Sequence, residues 1–228
     1  MSKIVVVNAS PRKNQNTAKL LKEALKGAEE KGAEAKYYHL YDYNYKGCVS
    51  CFACKRKNAK TNGLCAYKDE LTPILQDIQD ADAIVVGSPV YYSYPTGMFR
   101  SFLERLMYPL GTYLIDETKT EFALKRFLNK TIPTGIIITM NCPENMADDW
   151  NYPSVLNENE KSLNSIFGYA ETLYAYDTYQ FQDYSKYDCT LFNEHDKAKA
   201  RDTIFPQDMK KAFDLGKRLI DLSLELNN

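Results

Sequence analysis

The chain has 228 residues, of which 44% are hydrophobic and 26% are charged, and its formal net charge is −1. This size and composition suit one soluble domain with a sizeable core and leave little room for two full domains. The balanced charge argues against nucleic-acid or membrane-surface binding. Because no apolar stretch is long enough for a membrane span or a signal peptide, we expect a cytoplasmic protein.

Five stretches have the composition of buried strands, and helical patterns lie between and after them. In chain order the predicted strands are residues 3–7, 35–43, 82–90, 132–140 and 173–181. The helical patterns cover residues 20–28, 69–81, 98–106, 163–173 and 208–226.

Strands that alternate with helices predict an α/β fold, with a parallel sheet covered by helices on both faces. Five strands in this length predict one doubly wound domain over residues 1–228, with strand order 2-1-3-4-5. Residues 141–174 are interpreted as an insertion after the fourth strand, which covers the site or forms a subunit contact. Ligands of such sheets bind beyond the carboxyl ends of the strands at the switch point.

The stretch NASPRKNQNT, residues 8–17, lies between the first strand and the first helix. Ser10, Arg12, Asn16 and Thr17 supply hydrogen-bond donors beside the free N–H groups of a helix N-terminus, which favours an anion site. Neither the dinucleotide fingerprint nor the lysine-bearing phosphate loop is present. The stretch therefore favours a terminal phosphate such as that of FMN, although an ordinary polar loop with a helix cap is the alternative.

The stretch GSPVYYSYPTG, residues 87–97, follows the third strand and precedes a helix. Its tyrosines, among them Tyr91 and Tyr92, can supply aromatic walls for a flat ring, and its backbone can supply N–H donors. The alternative is that each tyrosine packs beneath the predicted insertion.

Residues 46–67 form a predicted loop with four cysteines in the spacing C-x2-C-x2-C-x10-C. Cys48, Cys51, Cys54 and Cys65 could hold a 4Fe–4S cluster or, less readily, zinc, because thiolates are ligands of both. Free thiols in a compact loop are the favoured interpretation. The remaining Cys142 and Cys189, together with His39 and His195, show no ligand pattern and are interpreted as structural.

These three motifs, in this order, resemble the NADPH-dependent FMN reductases of the flavodoxin-like superfamily, with the iron–sulfur flavoproteins as the nearest branch. The resemblance covers roughly residues 3–140. Two positions depart from the family, since Ala9 and Gln15 stand where it usually has glycine. In the iron–sulfur branch the last cysteine spacing is shorter than the ten residues found here.

The resemblance implies a flavodoxin-like fold and FMN as the cofactor. It implies that Ser10, Arg12, Asn16 and Thr17 hold the FMN phosphate. The isoalloxazine ring would be lined by Pro89, Val90, Tyr91, Tyr92, Thr139 and Asn141.

The implied activity is that of an FMN-dependent NAD(P)H oxidoreductase, which passes electrons to an unidentified small-molecule or protein acceptor. A homodimer or homotetramer is also implied. No catalytic side chain is assigned, because flavin chemistry belongs to the cofactor. Two alternatives stay open, namely an electron carrier of the flavodoxin or iron–sulfur flavoprotein type and a zinc-stabilised interaction module.

Overall fold

The computed structural model describes residues 1–118, 120 and 123–227. A five-stranded parallel sheet with one short antiparallel addition forms its centre. Its strands are β1 (Lys3–Asn8), β2 (Glu34–His39), β3 (Ala83–Tyr91), β4 (Tyr94–Pro95), β5 (Thr134–Thr139) and β6 (Ala170–Ala175). The helices are α1 (Asn16–Glu30), α2 (Thr72–Gln79), α3 (Gly97–Leu110), α4 (Glu144–Asp149), α5 (Tyr152–Phe167), α6 (Glu194–Thr203) and α7 (Phe205–Glu225).

The strand order is β2-β1-β3-β5-β6, and the two-residue β4 pairs with the end of β3. The predicted doubly wound order is therefore confirmed. Because the order reverses between β1 and β3, the crevice beyond their carboxyl ends is the switch point. Of the helices in the described part of the chain, none is long and apolar enough to cross a membrane.

Alternate side chains of the central strands pack into two separate cores, one on each face of the sheet. Val5 and Val7 of β1 face the core that α2, α3 and α5 cover, whereas Ile4 and Val6 face the core beneath α1 and α7. Burial of each such aliphatic side chain contributes about 1.5–3 kcal/mol. Continuous apolar runs such as IVVV therefore specify a strand that is covered on both faces.

Helix α1 is held in place by a close backbone contact with α7. A Cβ on Gly27 would lie 2.0 Å from the Phe213 carbonyl oxygen, and one on Gly216 would lie 1.8 Å from that of Ala24. Only glycine permits this approach at either position. The contact fixes the axis of α1, and with it the position of the α1 N-terminus beside the end of β1.

The fifth long strand was predicted at residues 173–181, but it occupies Ala170–Ala175. Its last ladder pair joins Ala175 to Thr139, where β5 also ends, so residues 176–181 have no strand to pair with. The alternating tyrosines on which the predicted strand was based continue beyond residue 175, where the sheet has ended. Residues 141–174 contain α4, α5 and the start of β6, and α5 is the crossover helix from β5 to β6.

Two smaller differences lie near the site. The second strand ends at His39, and the predicted strand residues that follow form a 3-10 turn, Leu40–Asp42. The charged run EHDKAKARD forms a helix of its own, α6, which the sequence analysis did not predict.

Candidate functional site

A cavity of about 320 Å³ lies beyond the carboxyl ends of β1, β3 and β5. Ligand sites in proteins commonly have this size and position. The predicted residues that line it are Ser10, Arg12, Asn16, Thr17, Pro89, Val90, Tyr91, Thr139 and Asn141. The structure adds Gln15, Met140, Thr178, Gln180, Phe181 and Tyr187 to the lining.

The loop after β1 is shaped by hydrogen bonds among its own groups. The Ser10 N–H donates to Asn8 Oδ1 at 2.9 Å, and the Arg12 N–H donates to Ser10 Oγ at 3.2 Å. The buried His39, which the sequence analysis interpreted as an ordinary strand residue, lies with Nε2 2.8 Å from the Ser10 carbonyl oxygen and supports the loop from below. These contacts hold the chain in the turn that leads to the α1 N-terminus.

Helix α1 begins at Asn16, and within the described residues no side chain caps it. The first-turn N–H groups of a helix have no partner inside the helix, and the helix dipole favours negative charge beside them. Asn16 and Thr17 are buried at this end. An uncapped, partly buried helix N-terminus at the cavity is suited to a phosphate.

The two departures from glycine do not obstruct this loop. The Ala9 side chain belongs to the buried core, and its N–H donates to the Gly87 carbonyl at 2.8 Å. Gln15 precedes α1 with an extended backbone and φ of −98°, which any residue adopts.

The loop after β3 is a tight hairpin whose tip projects away from the cavity. Tyr92 and Ser93 both have positive φ, +48° and +71°, as a two-residue hairpin turn requires. Tyr91 lines the cavity, but the Tyr92 side chain is 98% exposed and lies outside the lining. The structure therefore places one of the two tyrosines of the predicted ring site at the cavity.

Thr96 ties the first two loops together beneath the cavity. Its hydroxyl donates to the Ala9 carbonyl at 2.8 Å and accepts from the Phe99 N–H at 3.2 Å, which caps α3. Its own N–H donates to Ser88 Oγ at 3.0 Å. Because Thr96 is fully buried, these bonds are shielded from water and fix the spacing of the two loops.

The loop after β5 supplies an acceptor that has no donor. Thr139 Oγ1 lies 2.8 Å from Thr17 Oγ1, which links this loop to α1. The Asn141 amide donates through Nδ2 to Gln180 Oε1 at 2.6 Å. Its Oδ1 is buried and has no hydrogen-bond partner among the described residues. A buried acceptor without a hydrogen-bond partner is uncommon in folded proteins.

A fourth segment, residues 176–187, crosses the mouth of the cavity, and we call it the strap. Arg12 Nη1 donates to the Gln180 carbonyl at 2.6 Å, and Asn16 Nδ2 donates to the Tyr179 carbonyl at 2.9 Å. The rings of Phe181 and Tyr187 stack with their centroids 4.1 Å apart. No sequence motif predicts the strap, and its density of tyrosines is the one signal in the sequence.

The charge of the cavity is positive. Arg12 is the one charged residue in the described part of the lining, and its guanidinium has five N–H donors, so the bond to Gln180 leaves others for a ligand. With the α1 N-terminus, Arg12 makes one end of the cavity suitable for a phosphate dianion. The aromatic side chains of Tyr91, Phe181 and Tyr187 in the lining suit a flat ring, so the residues fit FMN.

The four cysteines of the loop at residues 46–67 also line one cavity, but it is small. Its volume is about 10 Å³, which is the space of about one water molecule. None of the four forms a disulfide with a described residue, and burial raises the pKa of the Cys54 thiol. Among the described residues, no group of three or more Cys, His, Asp or Glu side chains is placed to hold a metal ion.

The cysteine loop is organised by Arg105 of α3, whose side chain is fully buried. Its guanidinium donates to both carboxylate oxygens of Asp69, at 2.7 and 3.1 Å. It also donates to the carbonyls of Lys46 and Tyr67 and, through Nε, to Cys65 Sγ at 3.0 Å. All five donors of one arginine are therefore used. In this arrangement the cysteines do not fit a 4Fe–4S cluster, and the predicted free thiols stay a prediction.

The other sulfur and imidazole groups lie away from both sites or beneath them. Cys142 is buried, and burial raises the pKa of its thiol. Cys189 lies in the loop before α6, 3.9 Å from the Phe192 carbonyl oxygen, and His195 is exposed on α6.

The sequence model of a known family, NADPH-dependent FMN reductase, matches residues 2–128, which is more than half of the chain. The chain belongs to the NADPH-dependent FMN reductase family. This is a family of flavin-dependent oxidoreductases. The match includes the loops after β1 and β3 and the cysteine loop, and it ends before β5 and the strap.

Curated relatives of this FMN reductase family member agree with the predicted branch. An iron–sulfur flavoprotein of Archaeoglobus fulgidus is 37% identical over 112 residues, which cover 49% of this chain and 52% of the relative. An iron–sulfur flavoprotein of Methanocaldococcus jannaschii is 32% identical over 103 residues, 45% of this chain and 51% of the relative. The chain thus spans about half the length of the curated relatives that it matches.

Solved structures resemble the whole chain at low sequence identity. An NAD(P)H:quinone oxidoreductase from Methanothermobacter marburgensis has a TM-score of 0.66 at 13% identity, over 96% of this chain and 98% of that one. An FMN-dependent NADH-azoreductase from Bacillus anthracis, in complex with FMN, has a TM-score of 0.62 at 17% identity, over 96% and 99%. At such identities the likeness shows a shared fold.

Proposed function

We propose that this protein is an FMN-dependent oxidoreductase that takes a hydride from NAD(P)H and passes the electrons to a small-molecule or protein acceptor. One observation carries the proposal: a guanidinium and an uncapped helix N-terminus line a single cavity at the switch point of the sheet. Family membership and an FMN-containing solved neighbour support the same cofactor.

Each end of the cavity has its own role. At one end, Ser10, Arg12 and the first turn of α1 would hold the FMN phosphate. At the ring end, Asn141 of the loop after β5 would lie beside the isoalloxazine ring. Tyr91 and Phe181 would flank the cavity with aromatic surface and reduce its exposure to water. When bound, FMN supplies the hydride and electron chemistry, and we therefore assign no catalytic side chain.

The phosphate assignment is tested with Arg12→Glu. Loss of a charged hydrogen bond and its replacement by repulsion should weaken FMN binding at least about a hundredfold. Riboflavin, which lacks the phosphate, should bind Arg12→Glu about as well as it binds the unchanged protein. Both affinities can be measured by titration of flavin fluorescence.

Lys13→Glu is the matched control, because it makes the same charge change one residue away. Lys13 is exposed, pairs with Asp42 at 2.6 Å and does not line the cavity. The FMN affinity of Lys13→Glu should therefore differ from that of the unchanged protein by at most about threefold. Unchanged FMN affinity in Arg12→Glu would overturn the phosphate assignment.

The reaction itself is tested with the flavin-loaded protein. Oxidation of NADH or NADPH in the presence of a quinone, followed by absorbance, would support the oxidoreductase. Retained FMN without such oxidation would instead support an electron carrier. The predicted homodimer or homotetramer stays a prediction.

A further inference from the structure

Lys197 of α6 is a charged side chain buried beside the cavity. Its side chain is 2% exposed, and the Asn193 side chain caps the helix so that Lys197 lies one turn inside it. Its Nζ donates to the carbonyl oxygen of Asn141 and to Asp177 Oδ1, the latter at 2.5 Å. The ring of Phe192 lies 4.2 Å from the same ammonium.

Core packing alone does not explain why Lys197 is buried. Lysine is rarely fully buried, because removal of an ammonium from water costs several kcal/mol unless charged and polar partners replace the water. Lys197 and Ala200 are the buried residues that α6 shows in the described part of the chain. A small aliphatic side chain would fill this position at a lower desolvation cost. The partners of Lys197 therefore indicate what the ammonium does.

The two acceptors belong to the two sides of the cavity rim. Asn141 lies in the loop after β5, and Asp177 lies in the strap, with a left-handed backbone at φ of +55°. The Asp177 N–H donates to the Cys142 carbonyl at 2.9 Å, beside the Lys197 contact. One ammonium thus bridges two loops that come from neighbouring strands.

Both loops carry groups that we assign to FMN. Asn141 lines the cavity, and two strap carbonyls orient Arg12 and Asn16 at the phosphate end. A shift of either loop changes the distance between Asn141 and the phosphate donors. Backbone hydrogen bonds from Asp177 and Thr178 also join the two loops, and the Lys197 bridge adds a charged contact between them.

We propose that Lys197 is a positioning residue for FMN. It fixes the loop after β5 against the strap and so sets FMN affinity, and it does not touch the cofactor. The proposal rests on the proposed function. Both α6 and the strap lie beyond residue 128. The Lys197 bridge is therefore outside the part of the chain that the family model matches.

The test compares Lys197→Met with Lys199→Met. Methionine keeps an apolar stem and removes the ammonium, and Lys199 lies on the same helix but is exposed. FMN affinity is measured by fluorescence titration at low temperature, with circular dichroism as the check that each variant is folded. Lys197→Met should bind FMN at least about tenfold more weakly, whereas Lys199→Met should stay within about twofold.

Two further readouts separate positioning from general stabilisation. The visible absorption band of bound flavin should shift in Lys197→Met, because the ring environment changes. Lys197→Arg, which keeps a cation, should recover part of the affinity. A lower melting temperature of the FMN-free protein, with unchanged affinity and an unchanged spectrum, would show a purely structural role and overturn the proposal.

Failure of the FMN assignment gives a different result, because the unchanged protein would then bind no FMN. Failure of the NAD(P)H reaction alone leaves FMN bound, and the comparison of variants then still applies. If Lys197→Met does not fold, Asp177→Asn replaces it, since the amide keeps an acceptor oxygen but removes the countercharge. FMN affinity should then fall by about threefold or more. Unchanged affinity in this folded variant would equally overturn the proposal.

Discussion

The FMN cavity and the cysteine loop both gather residues from distant parts of the chain, but different interactions hold them. Around the cavity, separate hydrogen bonds connect the loops, such as Thr17 to Thr139 and Thr96 to Ala9. In the cysteine loop, the five donors of Arg105 join two carbonyls, one carboxylate and one sulfur. The free energy of unfolding should therefore change less on loss of one bond around the cavity than on loss of Arg105 in the cysteine loop.

The largest expected effect is that of Arg105→Met. The change leaves the Asp69 carboxylate, which is 13% exposed, without its partner, and it leaves two carbonyls without donors. Removal of one member of a buried ion pair typically destabilises a protein by about 3–5 kcal/mol. Urea unfolding of the FMN-free protein measures this loss. At temperatures where the variant is folded, its FMN affinity should be close to that of the unchanged protein.

Arg100→Met is the control, because Arg100 lies on the same helix and forms an exposed pair with Glu104. Exposed pairs contribute at most about 1 kcal/mol, so this variant should be nearly as stable as the unchanged protein. Equal stabilities for Arg105→Met and Arg100→Met would show that Arg105 does not organise the cysteine loop.

The difference between the two regions also explains what the sequence could predict. Residues 8–17 and 87–97 follow buried strands directly, and the strand order brings the ends of those strands together. Strand pattern and polar composition were therefore enough to place most of the cavity. The helix start at Asn16 was predictable for the same reason, since a polar stretch precedes an apolar repeat there.

The strap and the contacts of Arg105 could not be predicted in this way. Arg12 and Gln180 are 168 residues apart, and the acceptor is a backbone carbonyl, which has no signature in residue type. Arg105 lies within the apolar pattern of α3, between buried residues, and nothing in that pattern identifies Asp69 as its partner. The partners of His39 and Lys197 could not be predicted, because they come from other loops.

The packing of β3 against α1 at Gly87 affects both stability and the shape of the cavity. A Cβ on Gly87 would lie 2.9 Å from side-chain carbons of Thr17 and Leu21, so Gly87→Ala presses β3 against the start of α1. Overpacking of this kind costs about 1–3 kcal/mol. Because Thr17 lines the cavity, FMN affinity should fall as well. Both effects are measured by urea unfolding and by flavin titration.

Gly135→Ala is the matched control for that change. A Cβ on Gly135 would lie 3.0–3.1 Å from Leu219 and Leu215 of α7, away from the cavity lining. It should destabilise the protein through similar overpacking and leave FMN affinity unchanged. Equal losses of affinity in the two alanine variants would mean that β3 packing does not position α1 for the cofactor.

The smallest expected effect concerns one of the separate bonds around the cavity. Thr139→Val keeps the shape of the side chain but leaves the buried Thr17 hydroxyl without its partner, which should cost about 1–2 kcal/mol. Replacement of both threonines by valine removes the unpaired hydroxyl, so the double variant should lose less stability than the sum of the two single losses. Urea unfolding of the FMN-free proteins completes this double-mutant cycle. Additive losses would show that the two hydroxyls do not interact.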